Sequence, residues 1–389
     1  MKPSALTKIL NLNEFEDQAK QRLPAPLFEY LSGGAEDNDS FKGNLGSFDD
    51  IWFVPRSLVD VSKVDTRIEL LGKTYDSPFG IAPMGLSSLF AFRGDINFAE
   101  IAKQSNIPMV ISGSSLIPLE QIVKVNPFAW FQAYLPNGWE PSKALISRAM
   151  NAGVETLVIT VDTPVAANRE NNIRKGFSTP IRPSARLIFE GLSKPRWLMG
   201  TFFKTLVQLG LPHFENNYAE RGAPILSRNV IRDISDRGSL DWNRLEKIRA
   251  FWTGKLVIKG VVNTDDATRL KEIGVDGLIV SNHGGRQLDG VVPPLYVLAD
   301  IVDACPSIEV MYDSGIRRGV DALKAMALGA KCVFVGRPFG FANACAGAEG
   351  VQHATQIMQA EISRNMALLG VTHLKELNAQ FLKDVRHLK

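Results

Sequence analysis

From residue 79 onwards, apolar runs of strand length alternate with stretches of helix length, and this rhythm restricts the fold more than any other feature of the chain. The runs cover residues 79–84, 109–112, 130–135, 156–162, 255–261, 277–283, 309–314 and 332–336. Helical stretches such as 95–105, 142–152, 264–273 and 320–328 separate them. Eight strand–helix units in succession predict an α/β protein, a (β/α)8 TIM barrel spanning about 79–345, with its site at the carboxyl ends of the strands. An open doubly wound sheet is the competing arrangement. It ordinarily carries a glycine fingerprint for a nucleotide, and no G-x-G and no Walker phosphate loop occurs here.

Two departures from the rhythm remain. Residues 13–31 read as a helical N-terminal extension, with Leu12, Phe15, Leu23, Leu27 and Tyr30 recurring on one side; Gly33-Gly34 ends it. A long insertion follows the fourth strand: about 90 residues separate Asp162 from Lys255, several times an ordinary connection. Its centre, about 177–225, contains a stretch at 182–211 in which Arg182, Arg186, Lys194, Arg196 and Lys204 face only Glu190. Trp197, Leu198, Phe202, Phe203, Leu206, Val207 and Leu209 are interleaved with them. Such a mixture suits a segment lying in a lipid headgroup layer; the alternative is a lid packed on the barrel mouth. The whole 389-residue chain reads as one domain.

Composition excludes several function classes. A net charge of +3 is too slight to argue for a nucleic-acid partner. Cys305, Cys332 and Cys345 form no CxxC and no even framework, the pattern of reduced, buried thiols in a cytosolic compartment. Met1-Lys2-Pro3-Ser4 opens no signal peptide, and no charge-free stretch reaches the roughly 18 apolar residues of a spanning helix. The five histidines make no H-x-H or H-E-x-x-H pattern, so no metal site is expected, and no G-x-S-x-G elbow is present.

The strand ends supply the chemistry. Residues 281–289 read Ser-Asn-His-Gly-Gly-Arg-Gln-Leu-Asp directly after the apolar run Gly277-Leu278-Ile279-Val280. His283 then stands at a strand end, where it can trade a proton near neutral pH, and Arg286 can grip a carboxylate with two parallel hydrogen bonds. A base beside a carboxylate clamp suits chemistry on the carbon next to a carboxylate. The first strand ends in Ala82-Pro83-Met84-Gly85, small and rich in backbone, suited to a flat ring lying against it. The next three offer Ser112, then Gln132 and Tyr134, then Thr160-Val161-Asp162 followed by Asn168-Arg169. The fifth gives Lys259. The last two end in Asp313-Ser314-Gly315-Ile316-Arg317-Arg318-Gly319 and Gly336-Arg337, glycines followed by arginines where this fold usually binds phosphate.

These separated motifs, with Leu256-Val257-Ile258-Lys259-Gly260, Gly34-Ala35-Glu36-Asp37 and Ile81-Ala82-Pro83, resemble the FMN-dependent α-hydroxy acid oxidases and dehydrogenases from about Asn13 to the end of the chain. The resemblance implies oxidation of an (S)-2-hydroxy acid to a 2-oxo acid, with FMN as cofactor. It implies His283 as the base, and Asp162 as the carboxylate steadying its imidazolium. Arg286, Arg169 and Tyr30 would hold the substrate carboxylate, and Tyr134 its hydroxyl or developing carbonyl. Pro83, Met84, Gly85, Ser112, Gln132 and Thr160 would contact the flavin ring, with Lys259 near its pyrimidine part. Asp313 would meet the ribityl chain, and Gly315, Arg317, Gly336 and Arg337 the phosphate.

Whether the base takes the α-proton or the hydroxyl proton stays open at this level. Ser114 and Val165-Ala166-Ala167 are small where oxidases of the family are often bulkier, so a mandelate-like substrate is expected beside a lactate-like one. Gly85 and the basic-apolar insertion resemble the membrane-associated dehydrogenases for mandelate and lactate. They imply a quinone or other membrane electron acceptor, and a cytoplasmic protein held peripherally on the inner face of the membrane through about 182–211. An oxygen-using, peroxide-forming oxidase is the alternative, and a non-catalytic flavin-binding barrel or an FMN-dependent isomerase are readings from other classes. A homo-oligomer, with four copies, is also expected.

Overall fold

A computed structural model describes residues 6–178, 181–182, 184–226 and 237–386. Eight parallel strands form the centre: β1 Phe79–Ile81, β2 Val110–Ser112, β3 Trp130–Ala133, β4 Thr156–Thr160, β5 Lys255–Val261, β6 Gly277–Val280, β7 Glu309–Asp313 and β8 Val333–Val335. Each pairs in parallel with the next from β2 to β8, and β8 pairs with β1. The ring closes between β1 and β2 through a parallel bridge of Ile81 with Met109, where Ile81 N–H donates to the Pro108 carbonyl at 2.9 Å. Gly80 permits this closure, because a Cβ there would stand 2.5 Å from the Pro108 oxygen. Helices cover the outside, so the strands are buried on both faces and read as unbroken apolar runs.

The paired ladders end earlier than the apolar runs do. Chain beyond Ile81, Ala133, Thr160 and Val280 leaves the sheet before residues 84, 135, 162 and 283, where the apolar pattern ends. As strands diverge at the rim, their last residues turn over the barrel mouth instead of pairing. At β5 the register shifts between Lys259 and Val261 around Gly260, which has φ +103°. A side chain at Gly260 would press on Asp162 at 2.6 Å, so this bulge makes room for a carboxylate.

The N-terminal extension is two helices rather than one, Glu14–Arg22 and Ala25–Ser32. Leu23 (ψ 145°) and Pro24 (ψ 142°) are extended between them, because proline has no N–H to donate and forces its predecessor out of the helical region. The second helix carries Tyr30 to the barrel mouth. A third, Asp39–Gly46, follows.

The insertion is a pair of helical segments, Ala185–Leu192 and a run from Pro195 to Leu209 with a π-helical stretch at Leu198–Phe203. Pro195 separates them. One side is docked: Trp197 Nε1 donates to the Leu89 carbonyl at 2.7 Å, Lys194 Nζ donates to the carbonyls of Lys20 and Gln21, and the Glu190 carboxylate accepts from Ala25 N–H. The other side exposes Ile188, Phe189, Leu192, Met199 and Val207, the last at 84 %. Among the described residues no helix is long and apolar enough to cross a membrane.

Candidate active site

β6 leads into a turn that no ordinary strand end adopts. His283, Gly284 and Gly285 have φ of +59°, +67° and +71°, three left-handed residues in succession. The glycines accept this freely; at Gly285 a Cβ would also collide with the Phe41 backbone at 2.5 Å. For His283 the conformation costs about 1–3 kcal/mol, so its surroundings must impose it. They do so through hydrogen bonds. Ser281 Oγ accepts from His283 N–H at 3.0 Å, Ser314 Oγ from Gly284 N–H at 3.1 Å, and Asn282 Oδ1 from Gly285 N–H at 3.1 Å. The Asn282 amide is itself locked by reciprocal 2.7 Å bonds with Asn44.

The imidazole Nδ1 lies 2.8 Å from Asp162 Oδ1. Burial pushes the His283 pKa below its usual 6.5, a stronger effect than the upward pull of Asp162. Burial acts upward on Asp162, yet the facing His283 and Lys259 hold its carboxyl below the usual range. The pair therefore rests as a neutral imidazole and a carboxylate. Asp162 accepts the Nδ1 proton, which leaves the Nε2 lone pair as the basic position. Lys259 is buried too, but Asp313 (2.7 Å) and Asp162 outweigh that burial and keep the ammonium charged; Ser281 Oγ accepts from it at 2.9 Å.

A cavity of about 350 Å3 opens over this group at the carboxyl ends of the strands. Its wall gathers Tyr30, Pro83, Met84, Gly85, Tyr134, Thr160, Arg169, Lys259, His283, Arg286, Asp313, Gly315, Arg317, Gly336 and Arg337, all singled out in the sequence. Ser112 and Gln132 stand outside that wall: Ser112 Oγ accepts from Ser114 N–H and Gln132 Oε1 from Gly113 N–H. None of residues 184–226 lines the cavity, so the insertion's helices are not a lid over it.

Four guanidiniums converge on this cavity. Arg286 donates to the Gly33 carbonyl at 2.7 Å, Arg169 to the Arg286 carbonyl and to Gln287 Oε1, and Arg317 to the Ile316 carbonyl. Arg337 donates to the carbonyls of Ser32, Gly33 and Gly284. Among the described residues none of the four pairs with a carboxylate. Burial, then the like charge of Arg169, pulls Arg286 down to about 9, and burial with three neighbouring arginines pulls Arg337 lower still. The cavity is thus built for anions, on two sides: Arg317 and Arg337 beside the helices Gly319–Ala327 and Arg337–Ala346, and Arg286 with Arg169 near His283.

Gln132 Nε2 and Thr160 Oγ1 are buried polar atoms with no hydrogen-bond partner among the described residues. With the small residues at 82–85, the Lys259 cation and the paired arginines after β7 and β8, this donor set fits FMN. Gly85 keeps the wall thin, since a Cβ would stand 2.8 Å from Ser114 Cβ and 3.2 Å from the Tyr30 hydroxyl.

Sequence reading missed several residues here. Phe177 packs against Tyr30 with ring centroids 4.7 Å apart and the rings tilted by 32°, and the Arg237 guanidinium lies 3.9 Å over the Tyr134 ring. Both come from the ends of the insertion, and no local pattern marks them. Ser281, Asn282 and Gln287 sit inside the 281–289 stretch, and their polarity right after an apolar strand was the available signal.

Comparison with known proteins agrees with this geometry. The (S)-mandelate dehydrogenase of Pseudomonas putida is 33% identical over 377 residues, covering 97% of this chain and 94% of the relative. The L-lactate dehydrogenase of Vibrio cholerae serotype O1 is 34% identical over 374 residues, covering 95% and 97%. A crystal structure of the monotopic membrane protein (S)-mandelate dehydrogenase superposes with a TM-score of 0.87 at 33% identity, covering 97% of this chain and 99% of that one. The pattern shared by the FMN-dependent dehydrogenases matches residues 19–384, from the first N-terminal helix to a short strand at Leu382–Asp384. The closed barrel, its anion-binding mouth and the buried histidine are therefore those of a flavin oxidoreductase, and the chain belongs to the FMN-dependent dehydrogenase family.

Proposed function

We propose that the protein oxidises an (S)-2-hydroxy acid to the 2-oxo acid. The observation carrying this reading is a histidine, tied through Nδ1 to a carboxylate, in one cavity with two guanidiniums that no carboxylate satisfies among the described residues. The substrate carboxylate is placed against Arg286 and Arg169, assisted by the Tyr30 hydroxyl. His283 Nε2 accepts one proton of the CH–OH unit, and Asp162 stabilises the resulting imidazolium. Tyr134 donates to the oxygen that becomes the carbonyl. FMN, when bound, supplies the two-electron acceptor; Gln132, Thr160 and Lys259 would hold its ring, Asp313 its ribityl chain, and Gly315, Arg317, Gly336 and Arg337 its phosphate.

The substrate side of the cavity favours a mandelate-like acid. Val165, Ala166, Ala167, Ile173 and Phe177 line it, leaving small side chains near an aromatic wall. Burying a phenyl ring there gains at most a few kcal/mol over a methyl group, about tenfold to a hundredfold in kcat/KM. The exposed apolar side of the insertion supports peripheral attachment to a membrane, and hence a quinone or other membrane acceptor. Three of its basic residues already serve as ties: Lys194 holds the first helix, Arg186 the Arg174 carbonyl, and Lys204 lies over the Phe92 ring at 4.2 Å. The apolar face is left turned outward.

An anaerobic titration tests the reaction. Mandelate and longer (S)-2-hydroxy acids should bleach the bound flavin and release the 2-oxo acid, with lactate slower. A flavoprotein that no 2-hydroxy acid bleaches would refute the assignment, and rapid reoxidation by air without preference for a quinone would make the protein an oxidase.

A further inference from the structure

Arg237 lies where the chain returns from the insertion to the barrel, just ahead of the helix Trp242–Phe251. Its guanidinium carbon is 3.9 Å from the centroid of the Tyr134 ring. Tyr134, with Thr160 and Thr163, lies between two spaces: the main cavity, and a second of about 270 Å3 lined by Leu135, Trp242, Leu245, Ile258 and Leu270. Arg237 borders both and lies against the ring to which the proposed function assigns the hydrogen bond to the reacting oxygen.

We propose that Arg237 is a positioning residue which fixes the Tyr134 ring and makes its hydroxyl a stronger hydrogen-bond donor. A cation against an aromatic face is attracted by the ring's electron density and stabilises negative charge developing on the phenol oxygen. That oxygen gains such charge to the degree that it gives up its proton toward the substrate oxygen. Burial opposes this, pushing the Tyr134 pKa above 10; Arg237 is the foremost group acting the other way. Lys259 acts with Arg237, while Asp162 and Tyr30 act against it. Arg286 also faces Tyr134 across the cavity. Arg237 alone of these cations lies on the ring face.

The inference rests on the hydroxy acid reading for its kinetic part and on geometry for the rest, and two measurements separate them. The first is anaerobic flavin reduction in Arg237→Gln, Arg237→Lys, Tyr134→Phe and the Arg237→Gln/Tyr134→Phe double variant. Arg237→Gln should slow reduction about threefold to tenfold, and Arg237→Lys should restore most of it. In the Tyr134→Phe background the same Gln substitution should change the rate by less than about twofold, because the hydroxyl it acts through is gone. The second is an ultraviolet titration of tyrosinate after a rapid pH jump, with Tyr134 isolated by subtracting Tyr134→Phe. Tyr134 should ionise at higher pH in Arg237→Gln than in the parent. Equal losses with and without the Tyr134 hydroxyl, or a Tyr134 titration that overlays the parent's, overturn the proposal. So does a loss confined to the KM of acids bearing a second carboxylate, which would make Arg237 a substrate contact. If no hydroxy acid reduces the parent flavin, the functional reading fails, and the titration still decides the role of Arg237.

Discussion

Between β4 and the insertion the chain passes from burying charge to exposing hydrocarbon. Asp162, Arg169, Lys259 and His283 lie in or beside a cavity where desolvation opposes every ionised group, and they coexist because each is answered by a partner or a carbonyl. A little further on, Ile188, Phe189, Leu192 and Val207 stand in solvent although the same helices bury Trp197 and Thr201 completely enough to be anchored. Each region breaks the usual rule of burial in its own direction. Between them the strands and the covering helices form one continuous apolar core. Folding alone selects against both departures, which is why the proposed function assigns an anionic ligand to the first and a lipid surface to the second.

The sharpest way to break the comparison is to remove the charge chemistry while leaving the exposed face intact. His283→Ala should lower flavin reduction about 10²- to 10⁴-fold, the usual weight of a general base, with FMN still bound and membrane partition unchanged. Anaerobic stopped-flow absorbance checks this, and undiminished reduction would take the histidine out of the base role.

Both regions were legible in the sequence, but to different depths. His283, Arg286 and Lys259 could be placed because barrel strands are short apolar runs and whatever follows such a run stands on the rim. The cavity-lining loop at 82–85 followed from the same rule. What failed to show was anything depending on distant chain: the Asn44–Asn282 lock, Phe177 on Tyr30, and Arg237 on Tyr134 join segments far apart in sequence. The left-handed backbone at His283 was also hidden, since two following glycines suffice to explain the turn locally. In the insertion, the mixture of basic and apolar residues was visible, whereas the division into a docked side and an exposed side was not. That division depends on Trp197 reaching Leu89 and Glu190 reaching Ala25. The break at Leu23-Pro24 was the reverse case: proline announced it, and the apolar periodicity continued across it.

Reversing the second departure is the next test. Glutamates replacing Ile188, Phe189 and Val207 together change side chains that are 62%, 71% and 84% exposed, so folding should be untouched. If the face is a membrane surface, losing three buried apolar groups should cut partition into phospholipid vesicles by about 10²- to 10³-fold, while flavin reduction by substrate stays at the parent rate. Cosedimentation measures the first and stopped flow the second. Unchanged partition would leave the exposed hydrocarbon without a membrane role.

A smaller effect distinguishes shape from charge inside the cavity. Arg286→Lys keeps the cation but loses the planar fork that matches a carboxylate, at a cost of about 1.5–3 kcal/mol. The expected result is a fall of roughly tenfold to a hundredfold in kcat/KM for hydroxy acids, with the bound flavin's spectrum retained. A fall that appears equally for an uncharged ester of the same acid would show that Arg286 holds the site together and does not read the carboxylate.

The mildest test sharpens the point that burial, not the carboxylate partner, decides the resting state of the base. Desolvation outweighs Asp162 and lowers the His283 pKa below 6.5, so the neutral, proton-accepting form persists at pH values where an exposed histidine is already charged. kcat/KM for flavin reduction reports the free enzyme, and its acid limb should therefore begin below pH 6.5. Asp162→Asn removes the one group that pulls this pKa upward, so the limb should move further toward acid even as the rate on the plateau falls. The two changes have opposite consequences at low pH: the base becomes easier to keep neutral and harder to charge in the reaction. Had Asp162 dominated in the resting enzyme, the parent limb would lie above pH 6.5, and the cavity would be a site that stabilises buried charge before any substrate arrives instead of only when a proton is being taken.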